Sequence, residues 1–290
     1  MKKVLTVQDL SCVGKCSLTV ALPVLSAMGC SCSVLPTAVL STHTAFPKPH
    51  VRSLTQDIAP ICDHWQKIGA SFDAVSIGYL SDPAQAAAVA ALLDRFPAFT
   101  VVDPAMGDHG KLYSGLCDRQ VAAVRQLCQK ANVLLPNVTE ACLLTGTDYQ
   151  EAGDLPYYHR LLEALTRLGA DTVILTGISP DTATTGYLGY DKTLGMFSRL
   201  TPRLPKKCHG TGDLFCAVFT GAQAADVRIL GKAVAFYSTV QHEADSADGE
   251  WRSGVGMPIA ARGGGITAQT EQQARRAWMF DQHCKKTGEE

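Results

Sequence analysis

The sequence predicts an α/β fold with a mostly parallel central sheet and helices on both faces. Two observations carry this reading. Short β-rich runs alternate with helical patterns over roughly the first 170 residues, and strands so flanked argue for a parallel sheet covered on both faces. Neither a Pro/Ser-rich linker nor an internal repeat divides that stretch, so one domain is expected.

The first strand is "KVLTV" (3–7), and 16–28 reads as a helix ended by Gly29. "CSVLP" (32–36) is a strand, 53–68 an amphipathic helix and "DAVSIG" (73–78) a strand. The next helix opens with Asp82 as N-cap and Pro83 at its first position. "FTVVDP" (99–104) is a strand, 118–130 a helix and "NVLLPN" (132–137) a strand. A short helix over 138–144 closes on Gly146, and a longer one spans 155–168 before the strand "DTVILTG" (171–177). "TGYLGY" and "LGMFSRL", joined by the turn-rich "DKT", form a hairpin. Helices over 211–225 and 227–243 complete a domain of residues 1–244. Residues 245–290 lose the hydrophobic period and gather glycine, so they are expected to be a loosely ordered tail, with 270–280 able to form a polar helix.

Bulk properties exclude several classes. The 290 residues are 46% apolar and 18% charged, with a net charge of −1, so no global field recruits nucleic acid or an anionic membrane. The apolar run of "MKKVLTVQDL" is too short for a signal peptide or a membrane span, and a cytoplasmic protein is expected. Eleven cysteines match no zinc spacing, and their odd number argues against a disulfide framework. They read as small core residues and free thiols.

"SCVGKCS" (11–17), at the mouth of a helix, invites a phosphate-loop reading. That loop requires Ser or Thr after the lysine and a glycine five positions before the second one. This chain has Cys16 and Asp9 there, and a carboxylate would repel phosphate. The stretch needs another role.

A stronger signal is "CHGTGDLF" (208–215). Gly210 and Gly212 flank Thr211 at the start of a long apolar helix, leaving unpaired amides at the positive end of the helix dipole with no side chain to block approach. Such a nest stabilises an anion, and a phosphoryl group in transfer fits it. Asp213 would lie beside that anion, placed to accept a proton from an attacking alcohol. A plain glycine turn with Asp213 starting the helix is the competing reading. Other strand ends favour chemistry: "VVDPAMGD" supplies Asp103 and Asp108, and "LLPNVTE" supplies Asn137 and Glu140 on one face of a helix start. These oxygen ligands suit a hydrated Mg²⁺, and Thr176 in "VILTG" can hydrogen-bond a phosphate.

Together, "DPxMGD" (103–108), "PNxxE" (136–140) and "GTGD" (210–213) resemble the ribokinase-like kinases, whose fold is a three-layer sandwich. "TAVLSTHT" (37–44), "GYL" (78–80) and "GTGDLF" make the chain similar to the pyridoxal/pyridoxamine (vitamin B6) kinases over residues 3–243. The resemblance implies that Asp213 deprotonates the 5′-hydroxymethyl group of a B6 vitamer, which attacks the γ-phosphate of ATP. It further implies that the amides of 210–212 hold the developing charge. Mg²⁺ would sit near Glu140, Asn137 and Asp103, mostly through water, with Asp108 bordering it and Thr176 on a phosphate. The 187–200 hairpin would wall the adenine. Asp9, Thr37, His43 and Tyr79 would form the pyridine pocket, facing the loop after the first strand. Asp9 departs from the family pattern, where a ring-contacting serine is commoner, and its charge suggests that pyridoxamine is at least as good a substrate as pyridoxal. Members of the family are commonly homodimers and often K⁺-activated. Lys15 reads as a solvated helix-start residue, and the basic run 202–207 reads equally as an attractor of triphosphate or as solvated charge.

Three rivals remain at this level. Hydroxymethylpyrimidine kinases share "HGTG", but that branch usually carries cysteine at the Asp213 position and a glycine-rich N-terminal loop absent here. Dehydratases that repair hydrated nicotinamide cofactors share the fold and the "GTGD" turn. A B6 carrier without turnover is the third.

Overall fold

The computed structural model describes residues 1–203 and 209–224. In chain order the elements are β1 (Lys3–Val13), α1 (Leu18–Ala27), β2 (Ser31–Thr42), β3 (Val51–Ser53), α2 (Thr55–Lys67), β4 (Ala74–Ile77), α3 (Pro83–Arg95) and β5 (Phe99–Val102). Next come β6 (Gly107–Asp108), β7 (Lys111–Leu112), α4 (Asp118–Cys128), β8 (Val133–Leu134), α5 (Val138–Thr145) and α6 (Leu155–Thr166). The last are β9 (Thr172–Ile178), β10 (Thr184–Asp191), β11 (Gly195–Pro202) and α7 (Thr211–Ala224).

Nine strands form one sheet in the order β11-β10-β9-β8-β5-β4-β1-β2-β3. The six from β9 to β2 are mutually parallel, and β3, β10 and β11 extend the edges antiparallel. Each central strand is apolar on both faces. Leu5 and Val7 of β1, Val75 and Ile77 of β4 and Leu175 of β9 pack on the face covered by α2, α3, α4 and α6. Val4, Ala74 and Ile174 pack on the opposite face, under α1 and α7. This double burial explains why the strands read as continuous hydrophobic runs. Helices α1 and α7 meet closely at Gly221, where an added Cβ would lie 2.8 Å from the Met28 sulfur.

After β1 the chain moves outward to β2, then returns to β4 on the other side of β1. Strand order reverses there, and a crevice opens above the carboxyl ends of the strands, where α/β sheets collect ligands. The helix signals hold. Asp82 caps α3 by accepting from the Ala84 amide, Asn137 and Glu140 form a reciprocal capping box on α5, and Gly146 ends α5 in the left-handed region at φ 72°.

Several boundaries differ from expectation. Strand β1 runs on to Val13 and β2 to Thr42, so Asp9 and Thr37 lie within strands rather than in loops after them. Parallel pairing of Leu10 with Val39 and Val13 with Thr42 carries both strands beyond their apolar sequence. Strand β8 is only Val133–Leu134, because Asn137 is taken up by the α5 cap and a bridge to Thr176. Neither β3 nor the two-residue β6–β7 ladder is expected from the sequence, both being too short to show a period. The helix expected over 227–243, the tail 245–290 and most of the basic run 202–207 lie outside the described residues.

Candidate active site

A cavity of about 530 Å³ opens over the carboxyl ends of the central strands and the start of α7. Asp9, His43, Tyr79, Asp103, Asp108, Asn137, Glu140, Thr176 and residues 210–213 all line it. Of the residues expected at the site, only Thr37 lies off the wall. Its hydroxyl donates to the Tyr79 carbonyl at 2.9 Å, so this fully buried residue ties β2 to the loop that carries Tyr79.

The start of α7 is built against the β1–α1 loop. Gly210 has φ 80°, and a Cβ there would lie 2.5 Å from the Lys15 carbonyl oxygen, so only glycine fits. Its own carbonyl accepts from the Leu214 amide at 3.0 Å. Asp213 accepts the Ser17 amide hydrogen at 2.9 Å. Ser17 itself has φ 50°, a strained conformation for a residue with a side chain, and it turns that amide toward the carboxylate. Burial pushes the Asp213 carboxyl up to about 6; the Ser17 amide opposes the shift and the charge of Asp9 adds to it. "SCVGKCS" is therefore a backbone support for Asp213 and Gly210. Gly14, at φ 89°, also makes room for the His43 ring, 2.3 Å from where a Cβ would lie.

The acidic strand tips converge beside the nest. A Cβ on Gly212 would lie 3.6 Å from the Asp103 carboxylate, which places that acid against the amide turn. Burial raises the Asp103 pKa well above the ordinary range, and the charge of Asp213 raises it further. Glu140 is raised in the same way by burial and by Asp103, although the Met106 and Asn137 amides donate to its two oxygens at 3.2 and 2.9 Å. Asn137 is committed as well: its oxygen accepts from the Glu140 amide at 3.0 Å and its NH₂ donates to the Gly107 carbonyl at 2.9 Å. Asp108 lies exposed on the β6–β7 turn, accepting from the His109 amide, and Thr176 donates to the Pro136 carbonyl at 3.3 Å.

These environments test the expected cation site. Among the described residues no three acidic, histidine or cysteine side chains gather as a direct metal cage. Asp103 is a desolvated carboxyl with no hydrogen-bond donor among the described residues to satisfy it, which a cation would relieve. Glu140 and Asn137, already bonded, suit contact through water. This donor set fits a Mg²⁺ that keeps most of its hydration.

At the other end, Asp9 is buried and accepts from the Ser11 hydroxyl at 2.9 Å. Burial raises its pKa against hydrogen bonds from Ser17 and Ser11. Tyr79 is pushed up to about 12 by burial and then by the charge of Asp9. His43 accepts the Ala45 amide hydrogen at Nδ1, 3.3 Å away, so its proton sits on Nε2. That buried Nε2 has no partner among the described residues. The His43 ring lies 5.0 Å from that of His209 and edge-on to Phe46 at 4.8 Å. One end of the cavity thus offers an aromatic pocket and a carboxyl group, while the other offers the Gly210–Gly212 turn and acids.

Sequence reasoning missed Ser17, Tyr113, Lys111, Arg199 and His209, all of which line the cavity. Ser17 acts through its backbone, which no residue pattern reveals. Arg199 was detectable, since the two-residue spacing of a strand puts it on one face of β11 with Phe197 and Thr201.

A family model described as Phosphomethylpyrimidine kinase matches residues 22–244. A hydroxymethylpyrimidine/phosphomethylpyrimidine kinase of Rhizobium meliloti (strain 1021) is 31% identical over 191 residues, 63% of this chain and 68% of the relative. A pyridoxine/pyridoxal/pyridoxamine kinase of Bordetella avium (strain 197N) is 29% identical over 231 residues, 75% of this chain and 76% of that one. Among solved structures, a putative phosphomethylpyrimidine kinase from Bacteroides thetaiotaomicron VPI-5482, crystallised with pyridoxal, superposes with a TM-score of 0.82 at 32% identity. That alignment covers 88% of this chain and 92% of the other. With this fold and this match, the chain belongs to the phosphomethylpyrimidine kinase family and is a ribokinase-like kinase of the pyridoxal/phosphomethylpyrimidine type.

Proposed function

We propose that the protein phosphorylates the 5′-hydroxymethyl group of a B6 vitamer at the expense of ATP. The observation that carries this reading is Asp213, held by the Ser17 amide at the mouth of an amide nest, in one cavity with the Asp9–His43–Tyr79 pocket. A cavity of about 530 Å³ is of the size that takes a small ligand. The pyridine ring occupies the His43 and Tyr79 end, walled by those two aromatic side chains. Asp213 takes the hydroxymethyl proton while the amides of 210–212 receive charge building on the transferred phosphoryl group. Asp103, with Glu140 through water, would hold a hydrated Mg²⁺, which supplies charge neutralisation for the triphosphate. Positioning does most of the remaining work.

The base must be ionised to act. With Asp213 raised to about 6, kcat/KM should rise with pH, falling about tenfold per unit below pH 6 and levelling above it. A pH–rate profile with saturating ATP checks this; a flat profile from pH 5 to 8 contradicts the assignment.

The Rhizobium meliloti relative supports a second reading, in which the acceptor is a hydroxymethylpyrimidine. Substrate competition separates the two: the B6 reading predicts kcat/KM higher for pyridoxal or pyridoxamine, and preference for the pyrimidine rejects it. Within the B6 reading, Asp9 favours the amine vitamer by pairing its carboxylate with a cationic group. Asp9→Ser should lower kcat/KM for pyridoxamine by roughly ten- to a hundredfold, and less for pyridoxal and pyridoxine. Equal losses across all three would reject that role.

A further inference from the structure

The cavity wall is rich in carboxyl groups. Asp9, Asp103, Asp108, Glu140 and Asp213 all line it. A nucleoside triphosphate would bring further negative charge to the same wall. Among the described residues, the permanently cationic side chains on the lining are Lys111 and Arg199.

Arg199 is well placed to answer that charge. It sits half-buried on β11, on the same side of the strand as Phe197 and Thr201, and pairs with Tyr187 across the β10–β11 ladder. Phe197 and Tyr187 pack edge-to-face at 6.2 Å, which anchors the strand beside it. Its backbone is fixed by close approach: a Cβ on Gly186 would lie 1.9 Å from the Arg199 carbonyl oxygen. Its ladder partner Tyr187, the adjacent Gly186, and Thr176 and Thr201 in the same sheet also line the cavity and carry no carboxylate. No carboxylate forms an ion pair with Arg199 among the described residues, which is equally true of Arg52, Arg119, Arg125, Arg160 and Arg203, but of the described arginines Arg199 is the one that lines this cavity. A half-buried guanidinium on a cavity wall without a counter-ion is a cation waiting for an anion, and its planar fork suits two phosphate oxygens at once. Lys111 faces the same space from the β6–β7 turn, which is pinned by the Gly110 amide donating to the Thr139 hydroxyl at 2.9 Å.

We propose that Arg199 binds the polyphosphate of the nucleotide, with Lys111 supplying a second, weaker charge from the opposite turn. The inference rests on the phosphotransfer reading and deepens it by naming the two side chains that meet the polyphosphate charge.

Calorimetric binding of ATP, inorganic tripolyphosphate and adenosine to the full chain tests it, comparing wild type with Arg199→Ala and Arg199→Lys. Arg199→Ala should weaken ATP and tripolyphosphate roughly ten- to a hundredfold and leave adenosine unchanged, and Arg199→Lys should restore part of the loss. In turnover, KM for ATP rises while KM for the acceptor stays put. Unchanged ATP affinity in Arg199→Ala, or an equal loss for adenosine, overturns the inference alone. Should Arg199→Ala fail to fold, Arg199→Lys decides: its tripolyphosphate affinity must fall below wild type, and wild-type affinity overturns the proposal. A wild-type protein that binds no ATP overturns the phosphotransfer reading itself, and this assignment with it.

Discussion

Asp213→Asn should lower kcat by roughly 10²–10⁴-fold while ATP affinity is retained. Asparagine keeps the size of aspartate and an oxygen to accept the Ser17 amide, but it cannot take a proton. The same substitution should stabilise the ligand-free protein. The folded-state pKa of Asp213, about 6, lies above its ordinary value of 3.8, so the stability associated with its protonated form is present below pH 3.8 and lost as pH rises through 6. At neutral pH the ionised carboxylate is therefore a cost, on the order of 1–3 kcal/mol, that asparagine removes. Melting temperature at pH 7.5 should rise by a few degrees in Asp213→Asn and by less at pH 4.5. Lost turnover with gained stability marks a group retained for chemistry, and a destabilised variant would mean that the carboxylate holds the helix start in place.

The second large effect is expected at Gly210. Alanine there meets two obstacles: a left-handed φ of 80° and the Lys15 carbonyl oxygen 2.5 Å from the new methyl carbon. The turn must shift away from the β1–α1 loop, which tilts the 210–212 amides and loosens the Ser17–Asp213 contact. Loss of one aligned amide donor costs about 10²–10³ in kcat at anion holes of this kind. Gly210→Ala should therefore fall in that range with KM for the acceptor little changed, and a variant within a few-fold of wild type would show that the nest carries no charge. By comparison Gly212→Ala meets only an ordinary 3.6 Å contact with Asp103, so its loss should be smaller.

Much of this arrangement was legible because the relevant physics is local. A Pro after Asp82, an Asn three residues before Glu140 and a glycine at 146 state where helices begin and end, and the structure places them there. Apolar runs such as "VILTG" mark strands buried on both faces, and ligands in such sheets gather at the polar residues just beyond the strand ends. Asp103, Glu140 and Thr176 were found in that way. The features that escaped depend on contacts between distant segments. Nothing in "KCS" announces that the Ser17 amide meets Asp213 across 196 positions. The extension of β1 through Asp9 to Val13 is set by pairing with β2 rather than by its own composition. Thr37 was placed in the pocket by its motif, whereas its hydroxyl is spent on the Tyr79 carbonyl.

The amide nest, Asp213 and the acids at 103 and 140 are assigned to a single transfer from a bound triphosphate to a hydroxymethyl acceptor. Product analysis by ³¹P NMR, with ATP, Mg²⁺ and each B6 vitamer in turn, tests it most directly. The account predicts one phosphate monoester formed per ADP released by wild type, and both products formed roughly 10²–10⁴-fold more slowly by Asp213→Asn. ADP released without ester, or ester formed at the wild-type rate by Asp213→Asn, would contradict it.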